Sequence, residues 1–187
     1  DNDDLKLKDY LKLSIISGIS GLDLKGSSAA SSEFSQQGIP MLHYNDLPLN
    51  ESINLYYDNI ISLLNHPTHI FEWDYFIKSL NDDIKIVWFT DDYIETFFDL
   101  LFLNKLLEMY KDVYVTIVPK RRSFGNDASY SDVLDILKLC KINFNKLNEL
   151  TKDEMRFKVN KFGPSMGSMN IKKLSNEVID LIHNSTF

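Results

Sequence analysis

The length, composition and charge of the chain exclude several classes of protein. Its 187 residues are 44% hydrophobic and 12% aromatic, which suits one folded domain and argues against a disordered chain. A net charge of −7 and a pI near 5.0 argue against nucleic-acid binding, because such binding needs a basic surface.

Two further features favour the cytoplasm. The N-terminal residues show no signal-peptide core, and no apolar run approaches the roughly 20 residues of a membrane span. The single cysteine, Cys140, excludes an internal disulfide and suits a reducing compartment. It lies within an apolar pattern, so we expect it to pack in the core. We therefore expect a cytoplasmic protein that does not bind membranes.

Residues 1–80 are predicted to form a helical and irregular segment. The first helix is expected to place Leu5, Leu11, Ile15 and Ile16 on roughly one face. The stretch "GSSAASSEFSQQGIP" predicts either a surface connection or a lid over a substrate. Two more helices are predicted in "NESINLYYDNIISLLNH", which Pro67 ends, and in "IFEWDYFIKSLND".

Residues 81–187 are predicted to alternate strands with helices. The predicted strands are "KIVWF", "VYVTIVPK" and "MRFKVNKF", and the helices that follow them are "DYIETFFDLLFLNKLLEMYKD", "YSDVLDILKLCKI" and "NIKKLSNEVIDLIHN". The second helix is expected to begin at Ser129 or Ser131. This order and spacing predict an α/β fold with a three-layer, Rossmann-like parallel sheet, preceded by a shortened helical segment. The two parts are expected to form one compact domain.

The carboxyl ends of the three predicted strands carry acids, cations and small residues. These residues are, in strand order, Asp91 and Asp92, then Lys120, Asn126 and Asp127, and then Gly163 and Ser165. In an open parallel sheet, ligands bind beyond the carboxyl ends of the strands. We therefore expect these side chains to meet at one edge of the sheet.

Asp91, Asp92 and Asp127 are predicted to bind a divalent metal ion. Adjacent carboxylates repel one another unless a cation neutralises them, and an all-oxygen ligand set suits Mg²⁺ or Mn²⁺. Such an ion can hold a phosphate oxygen and activate water for attack, while Lys120 and the amides of the glycine turn carry phosphate charge. The same spacing also suits Asp91 and Asp92 to the N-terminus of the following helix. Both interpretations stay open, and each acid can do both.

Glu95 is a candidate for orienting a ligand or transferring a proton. It lies four residues after Asp91 and four before Asp99, so the three acids share a helical face. Phe97, Phe98 and the leucines that follow leave little of this helix exposed. Glu95 is therefore expected to point towards the site.

Three segments in order resemble motifs of the damage-control phosphatases, a family of metal-dependent phosphatases long catalogued as a domain of unknown function. "TDDYIETFFDLLFLNKLL" resembles the family pattern D-N-A-G-E-x-x-F-D-x-L-L, and "IVPKRRSFGNDASYSD" resembles V-V-K followed by an N-D-A-T/S turn. A third segment, "KFGPSMGSMNIKKLSNEVIDLI", resembles the family motif that comes next along the chain. The matching residues are Asp91, Glu95, Phe98, Asp99, Leu100, Lys120, Asn126, Asp127, Ala128, Asp132, Gly163, Gly167, Ser175 and Glu177, with a weaker match at Asp23.

The resemblance implies a divalent metal ion, Mn²⁺, Mg²⁺, Co²⁺ or Ni²⁺, held by Asp91, Asp92 and Asp127. It also implies hydrolysis of small phosphorylated metabolites such as sugar phosphates or phosphopantetheine-like compounds. The hypothesis is attack by metal-activated water, with Asp91 as a nucleophile left open. The expected catalytic residues are Asp91, Asp127 and Glu95, and the expected phosphate-binding residues are Asn126, Lys120, Gly163, Ser165 and Asp23.

Three departures from the family pattern support an alternative function. Asp92 replaces the family's asparagine, and Tyr93 and Ile94 replace small residues. The chain also ends at "HNSTF", about where the family continues into a strand and a lysine-glycine loop that helps bind phosphate. The alternative is a catalytically decayed module that binds metal or phosphate without turnover. A carboxyl methyltransferase is a minor alternative. The sequence does not predict an oligomeric state.

Overall fold

The sheet of this protein has three parallel strands in the order of the chain. The computed structural model describes residues 7–15, 73–80, 83–122, 127–142, 155–164 and 173–187. The strands are β1 (Ile84–Phe89), β2 (Val113–Val118) and β3 (Phe157–Val159), and β2 lies between the other two. Ile84 is opposite Val113, and Val115 is opposite Phe157. The α/β fold with a parallel sheet agrees with the prediction.

The described helices are α1 (7–15), α2 (Trp73–Ser79), α3 (Tyr93–Met109), α4 (Tyr130–Leu139) and α5 (Asn176–His183). Among these helices, none is both long and apolar enough to cross a membrane. Helix α5 begins later than "NIKKLSNEV" predicted, because Ser175 caps it by accepting a hydrogen bond from the Val178 amide.

Helices cover both faces of the sheet. The larger core contains α3, α4 and the side chains that β2 turns towards them, including Leu103, Val115 and Ile136. The smaller core joins Val118 of β2 to Val178 of α5. Helices α3 and α4 share the larger core and so lie on one face, as expected when both connections between parallel strands have the usual right-handed sense. The result is the three-layer arrangement that the sequence predicts.

The last two residues of the chain hydrogen-bond to the edge of β1 that faces away from β2. The Thr186 amide donates to the Lys85 carbonyl at 2.7 Å, and the Val87 amide donates to the Phe187 carbonyl at 2.9 Å. Helix α5, which precedes them, packs against Val118 in the smaller core. These bonds tie the segment after α5 to β1, which is an edge strand of the three-stranded sheet.

The buried face of α1 shares Leu11 with the predicted apolar face. Its buried residues are Leu7, Leu11 and Ser14, at positions i, i+4 and i+7, whereas Ile15 is 37% exposed. Ile15 therefore lies at the border of the buried face, and Leu5 and Ile16 lie outside the described residues. The division into segments 1–80 and 81–187 stays a prediction. Cys140, as expected, packs against the main core, and it is half-buried there.

Candidate metal centre

Backbone hydrogen bonds bring the two acidic segments together. The Ala128 amide donates to the Asp91 carbonyl at 2.7 Å, and Asp92 and Asp127 form an antiparallel bridge. Asp91 and Asp92 connect β1 to α3, while Asp127 lies between β2 and α4. The ends of two adjacent strands are thus tied to each other, and their acids are held on one edge of the sheet.

The three carboxylates form a cluster with the chemistry of a metal site. Asp91, Asp92 and Asp127 each offer one oxygen, and these oxygens lie within 4.8 Å of one another. Oxygens bound to one Mg²⁺ are about 3 Å apart in cis positions and about 4.2 Å apart in trans positions, so an ion shared by all three would draw these side chains closer together. The Asp91 side chain is 62% exposed, whereas that of Asp127 is 12% exposed. The cluster is thus open to solvent on one side, and its donor set fits a hard divalent ion.

Asp92 occupies the N-cap position of α3 without using its side chain as a cap. Its backbone is extended, at φ −65° and ψ 153°, and its side chain makes no capping hydrogen bond. Its carbonyl accepts from the Thr96 amide at 2.8 Å. The capping interpretation therefore accounts for its position but gives its carboxylate no role. That carboxylate is turned to the cluster instead.

Lys120 places a positive charge inside the cluster. Its Nζ lies 3.2 Å from Asp91 Oδ1 and 3.7 Å from Asp127 Oδ2, and the residue is 6% exposed. Two carboxylates about 4 Å apart repel by about 4 kcal/mol at an effective dielectric constant near 20. One ammonium cannot balance three carboxylates, so the described cluster keeps an excess of negative charge.

The pKa of Asp127 shows how strained this arrangement is. This pKa is raised to about 6, first by burial and also by the charges of Asp91 and Asp92 and a hydrogen bond with Asp91, against the lowering effect of Lys120. A proton shared between two carboxyl groups relieves repulsion in the absence of a stronger cation. A divalent ion would relieve it without a proton.

Glu95 and Asp99 continue the row of acids from the cluster into the core. Burial raises the pKa of Glu95 to about 8, and the charges of Asp99, Asp91 and Asp92 raise it too, against Lys120. Asp99 is 1% exposed, and burial raises its pKa to about 6 although hydrogen bonds from Ser14 and Trp88 lower it. Glu95 is half-buried beside the cluster, where the sequence predicts it.

Ser14 was missed by sequence reasoning. Its hydroxyl donates a short hydrogen bond to Asp99 Oδ1 and so joins α1 to α3. The available signal was a polar residue at i+7 from Leu7 on the buried face of α1. Nothing in the sequence pairs that position with an acid 85 residues away.

Gly163 is explained by packing. A Cβ at this position would lie 1.7 Å from the Pro119 carbonyl oxygen, so the turn after β3 can approach the end of β2 only with glycine. Gly163 is buried there. Its contact with phosphate stays a prediction. Asn126, Ser165 and Asp23 lie outside the described residues, as does Gly167.

A cavity of about 580 Å³ lies beside β3 rather than at the carboxylate cluster. It runs between α4 and α5, and its lining includes Tyr130, Lys158, Asn160 and Glu177. None of the three clustered acids lines it. We place the candidate centre at the cluster, because an ion and a phosphate group require converging charges more than volume.

Comparisons with known proteins identify the family of the chain. The family model of the damage-control phosphatase ARMT1-like domain matches residues 44–187. The chain belongs to this family. The ARMT1-like match includes both strand ends that bear the clustered acids, and it confirms the resemblance that the sequence motifs indicate.

A solved structure shows the same fold. A DUF89 family protein from Pyrococcus horikoshii, solved by crystallography at 2.04 Å, matches with a TM-score of 0.61 and 17% sequence identity. The match covers 96% of this ARMT1-like chain and 48% of that protein, so the chain spans about half of its relative's length. Among curated proteins, none matches the chain.

Proposed function

We propose that this chain is a divalent-metal-dependent phosphatase that hydrolyses small phosphorylated metabolites, such as sugar phosphates or phosphopantetheine-like compounds. The observation that supports it best is the cluster of Asp91, Asp92 and Asp127, whose oxygens lie within 4.8 Å of one another at the carboxyl edge of the sheet. Membership of a damage-control phosphatase family supports phosphatase chemistry at this cluster. Mn²⁺, Mg²⁺, Co²⁺ and Ni²⁺ are the proposed ions.

Each candidate site residue has a proposed role. Asp91, Asp92 and Asp127 hold the ion, whose Lewis acidity, once it is bound, polarises a phosphoryl oxygen and activates water. Lys120 and Asn126 contact the phosphate, with Gly163, Ser165 and Asp23 as further proposed contacts. Glu95 holds a proton near neutral pH in the metal-free chain, because burial raises its pKa to about 8. It can therefore donate a hydrogen bond to an oxygen of the substrate or orient water.

The experiment compares two matched aspartate variants. Asp127→Ala removes a clustered carboxylate, whereas Asp135→Ala removes an exposed one that pairs with Lys138 on α4. Hydrolysis of a chromogenic phosphate ester with Mn²⁺ should fall by more than about 100-fold in Asp127→Ala, since even outer partners of metal ligands cost 10–100-fold. Asp135→Ala should keep the wild-type rate. Equal rates in wild type and Asp127→Ala would remove the assignment.

The second candidate is a module that binds an ion or phosphate without turnover. Asp92 favours it, because a third carboxylate beside the ion tightens metal binding and repels a phosphate dianion. Calorimetry with Mn²⁺ and a panel of phosphate esters separates the two functions. Binding of the ion with no turnover of any ester would favour the module. Replacement Asp92→Asn, which restores the family residue, should then raise turnover.

A further inference from the structure

Lys120 occupies the position from which a cation neutralises the cluster. Its Nζ lies 3.2 Å from Asp91 Oδ1 and 3.7 Å from Asp127 Oδ2, and these two carboxylates are among the three proposed metal ligands. The side chain is 7% exposed. Lysine is rarely this buried unless an acid pairs with it. The same carboxylates thus serve an ammonium group in the metal-free chain and are the proposed ligands of an ion.

The backbone fixes Lys120 beside these acids. Its amide donates to the Ala128 carbonyl, and its own carbonyl accepts from the Tyr130 amide, both at 3.2 Å. Ala128 is in turn bonded to the Asp91 carbonyl. Lys120 and the two acids are therefore joined through one short hydrogen-bonded network. The ammonium group can leave the carboxylates by side-chain rotation alone, without moving the strand end.

We propose that the Lys120 ammonium is the internal counter-ion of the metal-free site, and that it competes with the divalent ion for Asp91 and Asp127. A carboxylate that binds the ion loses most of its attraction for the ammonium, and the two cations repel each other. Lys120 is then available to a phosphoryl oxygen. This inference rests on the proposed function. It predicts that the ion binds first and the phosphate second.

Competition predicts that removing the ammonium strengthens metal binding. Lys120→Met removes the charge and keeps the length of the side chain, while Lys120→Arg keeps the charge. In calorimetric titrations of the whole chain with Mn²⁺, Lys120→Met should bind at least about tenfold more tightly than wild type. Lys120→Arg should stay within about threefold of it. Equal or weaker Mn²⁺ binding by Lys120→Met, including no binding by either protein, would overturn the inference.

A second measurement does not depend on whether Lys120→Met folds. That variant leaves carboxylates of the cluster without their ammonium group, which can destabilise the fold. The wild-type chain is labelled with ¹⁵N-lysine, and Lys120→Arg identifies the missing ammonium resonance. Mg²⁺, which is diamagnetic, should shift this resonance, and inorganic phosphate should shift it again in the presence of Mg²⁺. A resonance that ignores Mg²⁺ would contradict the competition.

The outcomes separate this inference from the proposed function. If Lys120→Met binds Mn²⁺ more tightly and wild type hydrolyses no phosphate ester, the competition by Lys120 is supported and the proposed phosphatase activity is contradicted. Hydrolysis that requires Asp127, with Mn²⁺ affinity unchanged in Lys120→Met, would keep the activity and remove the competition.

Discussion

At the scale of single residues, Asp99 is an acid that the fold buries at a cost. It is 1% exposed, and within the described part of the chain it accepts hydrogen bonds from Ser14 and Trp88, which are neutral donors. A buried carboxylate without an adjacent cation favours its protonated form. Asp99 also contributes, after burial, to the raised pKa of Glu95. The charge of Asp99 is therefore linked both to the stability of the fold and to the proton on Glu95.

The first prediction concerns the pH dependence of stability in the metal-free chain. Because the pKa of Asp99 is raised from 3.8 to about 6 on folding, the folded state binds the proton more tightly. Its contribution to stability is present below about pH 4 and is lost as the pH rises through about 6. That contribution is about 3 kcal/mol, from roughly two pKa units.

Urea unfolding with EDTA at pH 4 to 7 tests this expectation. As the pH rises from 4 to 7, the free energy of unfolding of wild type should fall by about 3 kcal/mol more than that of Asp99→Asn, since asparagine cannot ionise. Asp180→Asn, an exposed position on α5, is the matched control and should follow wild type. Parallel curves for wild type and Asp99→Asn would show that Asp99 does not titrate in this range.

Some contacts of the candidate site could be predicted from the sequence, and one between distant residues could not. Asp91, Asp92 and Asp127 could be placed together from the sequence, because the carboxyl ends of adjacent parallel strands meet. The pairing of Ser14 with Asp99 could not, since it depends on how α1 packs against α3 across 85 residues. Sequence periodicity shows which residues are buried but not which distant residue each one meets.

At the scale of elements, Arg156 joins the end of α3 to the start of β2. This fully buried residue donates from Nη2 to the Leu107 carbonyl at 2.9 Å and to the Tyr110 carbonyl, and from Nε to the Val113 carbonyl at 3.2 Å. The last carbonyls of a helix lack intrahelical partners. Arg156 supplies donors to them from the residue before β3.

The second prediction follows from these three hydrogen bonds. Arg156→Met keeps an apolar stem of similar length but leaves buried carbonyls without donors, which should lower the free energy of unfolding by about 3 kcal/mol. For a chain of this size, that is a fall of about 6–12 °C in melting temperature. Lys158→Met, two residues along and exposed, should change the melting temperature little. Equal melting temperatures for the two variants would mean that the hydrogen bonds of Arg156 contribute nothing net.

The order and type of the strands and helices could be predicted from the sequence, whereas their first and last residues were harder to predict. The strands "KIVWF" and "VYVTIV" are short apolar runs between polar residues, and such runs indicate buried strands. The third strand is shorter than "MRFKVNKF", because Arg156 turns inward to the helix end and Asn160 accepts from the Phe162 amide. The choice between Ser129 and Ser131 is settled by a capping box that Ser129 forms with Asp132. Side-chain hydrogen bonds, not periodicity, set these limits.

At the scale of the whole molecule, the order of the strands explains where the acids lie. β1 and β2 are adjacent and parallel, so their carboxyl ends lie at the same edge of the sheet. Asp91 and Asp92 follow β1 directly, and Asp127 lies between β2 and α4. The net charge of −7 adds to the negative potential there. The fold therefore gathers negative charge at this edge of the sheet before any ligand is considered.

The last prediction is that a divalent ion stabilises the whole chain. An ion that binds the folded state and not the unfolded one adds about 2.7 kcal/mol at 100 times its dissociation constant, and that amounts to a rise of about 5–10 °C in melting temperature. Thermal unfolding with Mn²⁺ should show this rise for wild type and lose it for Asp127→Ala, whereas Asp135→Ala should keep it. NaCl at matched ionic strength should not reproduce it, because screening acts on exposed charges and the ion acts on a cluster that is partly buried. If Mn²⁺ raised the melting temperatures of wild type and Asp127→Ala equally, the ion would be binding elsewhere on the acidic surface. The three carboxylates would then be close only because the backbone holds them together.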